Sequence, residues 1–225
     1  MTGTNQADVM NQTVAVITNR LNAAGVPHFE IKPQGDQIFL DLPSVKDPER
    51  LKYLISTGGK LELVHVISPP SPSPVVTYDT QEEAIASLKS GGSIPSDRRV
   101  LAYPNPNGNA TRKWAVVESP AIVSGSDVRD ASAVRGIGDD YDVNFSLNQT
   151  GAARFGSWTA ANINEYLGVA LNDELKSFAF IKSQITDQGQ ITGNFTRQAA
   201  EDLALVLKSG ALPARVEFQE ERIDK

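Results

Sequence analysis

Cysteine is absent from these 225 residues. That excludes disulfides, thiolate nucleophiles and Cys-type zinc sites, and it is compatible with either a reducing or an oxidising compartment. Histidine is nearly absent too. His28 and His65 are the only two, too few for a His-rich metal site, and neither has a Ser or Asp nearby in sequence that suggests a triad. No apolar run approaches the roughly 20 residues that span a bilayer, and the start, MTGTNQADVM, lacks a charged-then-apolar leader pattern. Basic clusters are missing. With a net charge of −6 the chain does not read as a nucleic-acid binder. What remains is ordinary for a soluble globular body: 40% hydrophobic and 21% charged residues, enough for one large domain or two small ones.

Three stretches follow one another. From Ala7 to Ser68 the pattern predicts α-β-β-α-β. Met10, Val14, Ile17 and Leu21 recur at helical spacing, and Gly25 and Pro27 stop the helix. Phe29 and Ile31 start a strand, Gln34-Gly35-Asp36 turns it, and Ile38, Leu40 and Leu42 alternate after the turn. Asp47-Pro48 opens a second helix with Leu51, Leu54 and Ile55 facing inward. Gly58-Gly59 ends it, and Leu61, Leu63 and Ile67 form a third strand. This order predicts a ferredoxin-like unit lacking its first strand.

SPPSPSP (68–74) then breaks the pattern. Four prolines in seven residues suit only an extended connection. Beyond it Thr80 and Glu83 make a capping box, Val100, Leu101 and Tyr103 a strand, residues 105–109 a tight turn, and Trp114–Val117 the returning strand. Near the end, Thr196 caps a helix whose Ala199, Ala200, Leu203, Ala204 and Leu207 share a face, closed by Gly210 and Pro213. Val216 and Phe218 alternate as in a strand.

Candidate chemistry is thin. Asp139, Asp140 and Asp142 lack the spacing and closing Glu of a calcium loop and read as a solvated turn. Gly136-Ile137-Gly138 and Gly91-Gly92 lack the strand-to-helix setting of a phosphate loop. The Asn-x-Thr triplets at Asn11, Asn109, Asn148 and Asn194 are short enough to arise by chance. Phe155 and Trp158, at i and i+3 on one helix, suit core packing or one wall of a groove.

Several segments carry a resemblance. ITGNFT (191–196), AAEDLALVLKSGALPA (199–214) and the following EE–R resemble the end of the first periplasmic domain of the SecD family. YDVNFSLNQTGAARFGSWTAANINEYLGVALNDEL (141–175) looks like that family's strand, helix and strand, and SGSDVRDASAV (124–134) is similar to its T-G-x-D-L-x-x-A element. Residues 9–67 and 117–222 are covered and 68–116 are not. Ala179 stands where the family usually has proline.

The resemblance implies a non-enzymatic piece of a polytopic membrane protein, on the periplasmic side of the bacterial inner membrane, with Met1-Thr2-Gly3 as a cloning start. It implies that the piece holds unfolded secreted polypeptide and moves relative to the membrane part during proton-gradient-assisted export, with SecF and the Sec channel as partners and no cofactor. The competing reading is a small-ligand-binding or hydrolytic module in the middle of the chain.

The expected architecture is α+β: a ferredoxin-like base sheet from 1–67 and 196–225, and an inserted α+β head at 68–195. Two crossings join them, so Ser68, Pro69, Pro70, Gly193, Asn194 and Phe195 are hinge candidates. Phe145, Phe155 and Trp158 are candidates for a polypeptide groove.

Overall fold

The computed structural model describes residues 6–42, 46–70, 72–88, 91, 93–103 and 112–219. The helices are α1 (Gln6–Ala23), α2 (Pro48–Ser56), α3 (Gln81–Ser87), α4 (Gln149–Ala161) and α5 (Arg197–Ser209). The strands are β1 (Glu30–Gln34), β2 (Gln37–Asp41), β3 (Leu61–Val66), β4 (Arg98–Tyr103), β5 (Lys113–Glu118), β6 (Val123–Ser124), β7 (Val128–Arg135), β8 (Tyr141–Leu147), β9 (Tyr166–Leu171), β10 (Glu174–Phe180) and β11 (Gln188–Phe195).

Local chemistry sets many of these bounds. The Asp47 carboxylate accepts from the Arg50 N–H, and Pro48 occupies the first turn of α2. Thr80, Asn148 and Thr196 cap α3, α4 and α5 in the same way. The β9–β10 turn is two residues, Asn172 and Asp173, both at positive φ, as a tight hairpin requires.

Three sheets form. β1 and β2 make an isolated hairpin. β7, β8 and β11 make an antiparallel sheet in the order β11-β8-β7. The third runs β5-β4-β10-β9-β3-β6, and a further pairing of Val66 with Val117 bends β3 back onto β5. The result is a five-stranded barrel of β5, β4, β10, β9 and β3, joined by single pairs at Glu174–Ala102 between β10 and β4 and at Val66–Val117 between β3 and β5. Val64, Val66, Leu101, Ala115, Val117, Tyr166, Ala170 and Leu175 form its interior cluster. Gly168 is part of this fit, since a Cβ there would lie 2.7 Å from Leu175 Cδ2 and 2.9 Å from Val66 Cγ2. Glu62, 8% exposed, pairs with Arg99 at 2.9 Å on the same strand faces as these apolar residues.

The largest core lies outside the barrel. Leu61, Leu63, Leu167, Val169 and Leu171 on the barrel's outer face meet Val143, Phe145, Leu147 and Ile191 of the three-stranded sheet, Phe155 of α4, and Ala200, Leu203, Ala204 and Leu207 of α5. A third cluster joins Ile17 and Leu21 of α1, Leu51, Leu54 and Ile55 of α2, and Val206 of α5, with Ile31, Ile38 and Leu40 of the hairpin packed on it. Helix α5 therefore serves two cores at once.

Two expectations need correction. Among the described residues the ferredoxin-like base sheet is not seen: β1 and β2 pair only with each other, while β3 pairs with β9, β6 and β5. Five of its six positions are buried, the pattern of a strand covered on both faces rather than one laid on a solvent-facing sheet. The strand expected around 214–221 is absent from residues 211–219, and 220–221 lie outside the described residues. After the Leu212 N–H, which donates to the Gly58 carbonyl, no ladder partner continues, and alternation alone does not make a strand. The turn expected at 105–109 also lies outside the described residues.

Candidate functional site

The polar face of the β11-β8-β7 sheet carries an open depression lined by convergent polar groups. Val143, Phe145 and Leu147 of β8 point into the core, so Asn144 and Ser146 point away from it. Register then builds two cross-strand rows: Asp130–Ser146–Gln188 and Ser132–Asn144–Gln190. These six residues line an open depression. The lattice beneath is tight. Gly189 faces Phe145, and a Cβ there would meet the ring at 2.3 Å, so the aromatic ring occupies the space a side chain would need. Outside the rows, Lys208 of α5 pairs with Asp130 at 2.8 Å, and its hydrogen bond holds the Asp130 carboxyl below the usual carboxylate range. Amides, hydroxyls and one carboxylate in register donate and accept hydrogen bonds without preference for a partner's side chains, which suits contact with peptide groups.

The three groove candidates are not on that face. Phe145 and Phe155 are 3% and 1% exposed and belong to the main core. Trp158 packs on the edge of the same core, with the His65 ring 5.3 Å away in an edge-on arrangement. The structure brings these aromatics together in one core but leaves Phe145 and Phe155 almost no surface for a ligand. His65 Nδ1 lies 3.1 Å from Glu118, and its Nε2 lies 3.6 Å from Glu165 with no hydrogen-bond partner. Among the described residues no group of three or more His, Asp or Glu side chains is placed to hold a metal.

The hinge candidates also fall inside packed structure. The Ser68 hydroxyl accepts from the Val76 N–H, and the Tyr166 hydroxyl donates to the Ser73 carbonyl, fastening the proline segment to the barrel. Pro69 and Pro70 are exposed. Gly193, Asn194 and Phe195 lie in β11, where the pairing with β8 shifts register between Ile191 and Phe195. The Phe195 ring lies over Gly193, where a Cβ would be 2.6 Å away. β3, before the first set, pairs with β9, and α5, after the second, packs in the core of β8 and β11. Neither set separates two packed units.

The residues that do join units are charged and were not singled out by sequence reasoning. Arg50 of α2 grips Asp202 of α5 with Nε and Nη2 at 2.9 and 2.7 Å, and Gln198 adds a bond to the same carboxylate. Arg20 of α1 is fully buried. The available signal was a charge within an apolar stripe: Arg20 between Ile17 and Leu21, and Asp202 beside Leu203.

Comparison with known proteins agrees over nearly the whole chain. The family described as "SecDF, P1 head subdomain" matches residues 99–214, and "Protein translocase subunit SecDF, P1 domain, N-terminal" matches residues 10–68. Those matches and the α/β fold make this chain a member of the SecD P1-domain family. It is 35% identical over 218 residues to the protein translocase subunit SecD of Aquifex aeolicus (strain VF5), covering 96% of this chain and 40% of that protein. The SecD subunit of Koribacter versatilis (strain Ellin345) is 34% identical, with 95% and 38% covered. The chain thus spans about two fifths of the length of these relatives. A solved structure, "Structure and function of a membrane component SecDF that enhances protein export", superposes with a TM-score of 0.70 at 25% identity, covering 96% of this chain and 94% of that one. Among the described residues no helix is long and apolar enough to cross a membrane.

Proposed function

We propose that this chain is the periplasmic domain of a SecD-like subunit of the Sec protein-export machinery, and that it holds unfolded secreted polypeptide as it emerges. In the full-length protein it works beside SecF and the Sec channel. It changes position relative to the membrane part while the proton gradient assists export. The observation that carries client binding is the pair of polar rows on the open sheet face, which offer hydrogen bonds to peptide groups of any sequence. Contact of this kind is weak and tolerant, as a partner of many clients requires.

The test is fluorescence anisotropy with a dye-labelled, permanently unfolded secretory polypeptide. Binding is expected with a Kd in the range of roughly 10–100 μM, weakened at least fivefold in Asn144→Ala/Gln190→Ala. A wild-type chain that does not bind, or a double variant that binds equally well, overturns the assignment of this face.

A further inference from the structure

For most of its length β10 is paired on one side only. Toward β9 it pairs from Glu174 to Phe180. Toward β4 it has a single pair, Glu174 with Ala102, because β4 ends at Tyr103 while β10 runs on to Phe180. Among the described residues no strand takes up the second edge of β10 beyond that pair.

The ladder decides which backbone groups this leaves open. The Ile181 N–H donates to the Glu165 carbonyl at 3.0 Å, and the Ile181 carbonyl accepts from the Asn164 N–H at 2.8 Å. Residue 181 therefore turns its backbone toward the β9 side. Direction alternates along an antiparallel ladder. Ser177 and Ala179, opposite Val169 and Leu167, face β9 as well, and Phe178 and Phe180 turn their N–H and C=O groups outward.

Side chains make the same edge apolar. The Phe178 and Tyr103 rings pack on the barrel's interior cluster and on each other, 4.3 Å apart and tilted by 52°. Phe180, two residues on and so on the same face, is 42% exposed. Natural sheets blunt an open edge with charge or proline. Here the stretch from Ser177 to Ile181 has neither. Its flanking cations are drawn aside: Lys176 bonds Glu174 at 2.6 Å, and Lys182 Nζ sits 5.0 Å from the centre of the Phe180 ring. Outward N–H and C=O groups at alternate residues are complementary to an extended main chain. The rings beside them suit apolar side chains at every second position of that chain.

We propose that the open edge of β10 at Phe178 and Phe180 takes up an extended segment of unfolded secreted polypeptide as an added strand, with its apolar side chains against Tyr103, Phe178 and Phe180. This rests on reading the chain as a holder of emerging polypeptide. It adds to the polar sheet face a second contact that reads the main chain and favours segments of alternating apolar residues. With few hydrogen bonds available it is the weaker contact, with a Kd of roughly 1 mM.

The test is backbone-amide solvent exchange read by NMR on the whole chain. The probe is a short peptide of alternating Val and Thr with Lys at both ends, at about 2 mM. The amides of Phe178 and Phe180 are expected to slow about threefold, while those of Ser177 and Ala179, already paired, do not change. The same peptide N-methylated throughout should have no effect. Phe180→Pro, tolerated at an edge because that N–H has no ladder partner, should abolish the slowing at Phe178. Phe180→Ala keeps the donor and should roughly halve that slowing. If Phe180→Pro does not fold, Phe180→Ala and the N-methylated peptide decide. Unchanged exchange at Phe178 and Phe180 in wild type overturns the proposal, as does equal slowing at all four amides or by the N-methylated peptide. Slowing that grows with protein concentration without peptide assigns the edge to a second copy of the chain and also overturns it. Asn144→Ala/Gln190→Ala should leave the slowing intact, and its loss there would overturn a separate site. Failure at Phe178 and Phe180 leaves the anisotropy result for the polar face standing, and the reverse also holds.

Discussion

The β1–β2 hairpin and the barrel of β3, β4, β5, β9 and β10 solve the same problem in opposite ways. Both contain antiparallel hairpins, β1–β2 in one and β4–β5 and β9–β10 in the other. In the barrel, β3 and β9 are paired on both edges, and the sheet bends until its ends meet at Val66 and Val117, so few backbone groups are left to recruit foreign strands. The hairpin has two strands and no third. It is held by one apolar face, Ile31, Ile38 and Leu40, laid on α1 and α2. A two-stranded sheet is marginal by itself. Its order is therefore borrowed from the helices, whereas the barrel's is its own.

The largest effect expected from this contrast comes from the core on the barrel's outer wall. Phe155→Ala removes a ring that is 1% exposed and should cost about 3–5 kcal/mol in urea unfolding followed by circular dichroism. A loss below about 1 kcal/mol, or one confined to a subset of amides, would mean the barrel and three-stranded sheet do not unfold as one body. Next is the joint between the regions. Arg50→Ala strands the Asp202 carboxylate, which is 4% exposed, and should cost about 2 kcal/mol, below the full value for a buried pair because Arg50 is partly in water. Double replacement by apolar residues should recover part of that loss, measured as a double-mutant cycle. Within the barrel, Gly168→Ala places a methyl against Leu175 and Val66 and should cost about 1–2 kcal/mol. Neutral behaviour would show that the barrel interior yields more readily than its packing suggests.

Native-state hydrogen exchange draws the comparison directly. Amides of β3 and β9 should exchange only by global opening, and those of β1 and β2 by a lower-energy local route. Equal protection would mean the hairpin is not the weaker region. The smallest effect is electrostatic. With its pKa held below the unfolded value by Lys208, Asp130 contributes stability above its ordinary carboxylate range, and that contribution is lost as the pH falls through its folded pKa. NMR titration should show the pKa of Asp130 rising toward the ordinary value in Lys208→Gln.

Elements with local causes were readable from the sequence. The caps at Asp47, Thr80 and Thr196, the turn at Gly35 and the stop at Gly210 each depend on a residue and its near neighbours, and the structure places them as expected. Partnership between distant strands was not readable in the same way. The β3 sequence, LELVHV, shows a strand but does not say that its neighbours are β9 and β5. The adjacent Leu63 and Val64, which break strict alternation, were the hint in the sequence that the strand is covered on both faces. The burial of Phe155 was hidden for a related reason: helical spacing places Phe155 and Trp158 on one face but does not say whether that face meets solvent or a sheet. Arg20 stands out as a charge in an apolar stripe, but its partners were hidden, because they are carbonyls and carbonyls have no letter in a sequence.

The pairing of Leu61 with Leu171 also governs how the chain acquires its shape. A polypeptide that emerges amino end first exposes β3 long before β9 exists. At ordinary synthesis rates the roughly one hundred intervening residues take on the order of 5–20 s to appear, and for that interval β3 lacks its longest ladder, with only its short pairings to β5 and β6 available once those strands have emerged. Until then only elements with contacts close by in sequence can form: the α1, hairpin and α2 segment, β4 with β5, and β7 with β8. For those seconds the edge of β3 that later meets β9 is open to wrong partners.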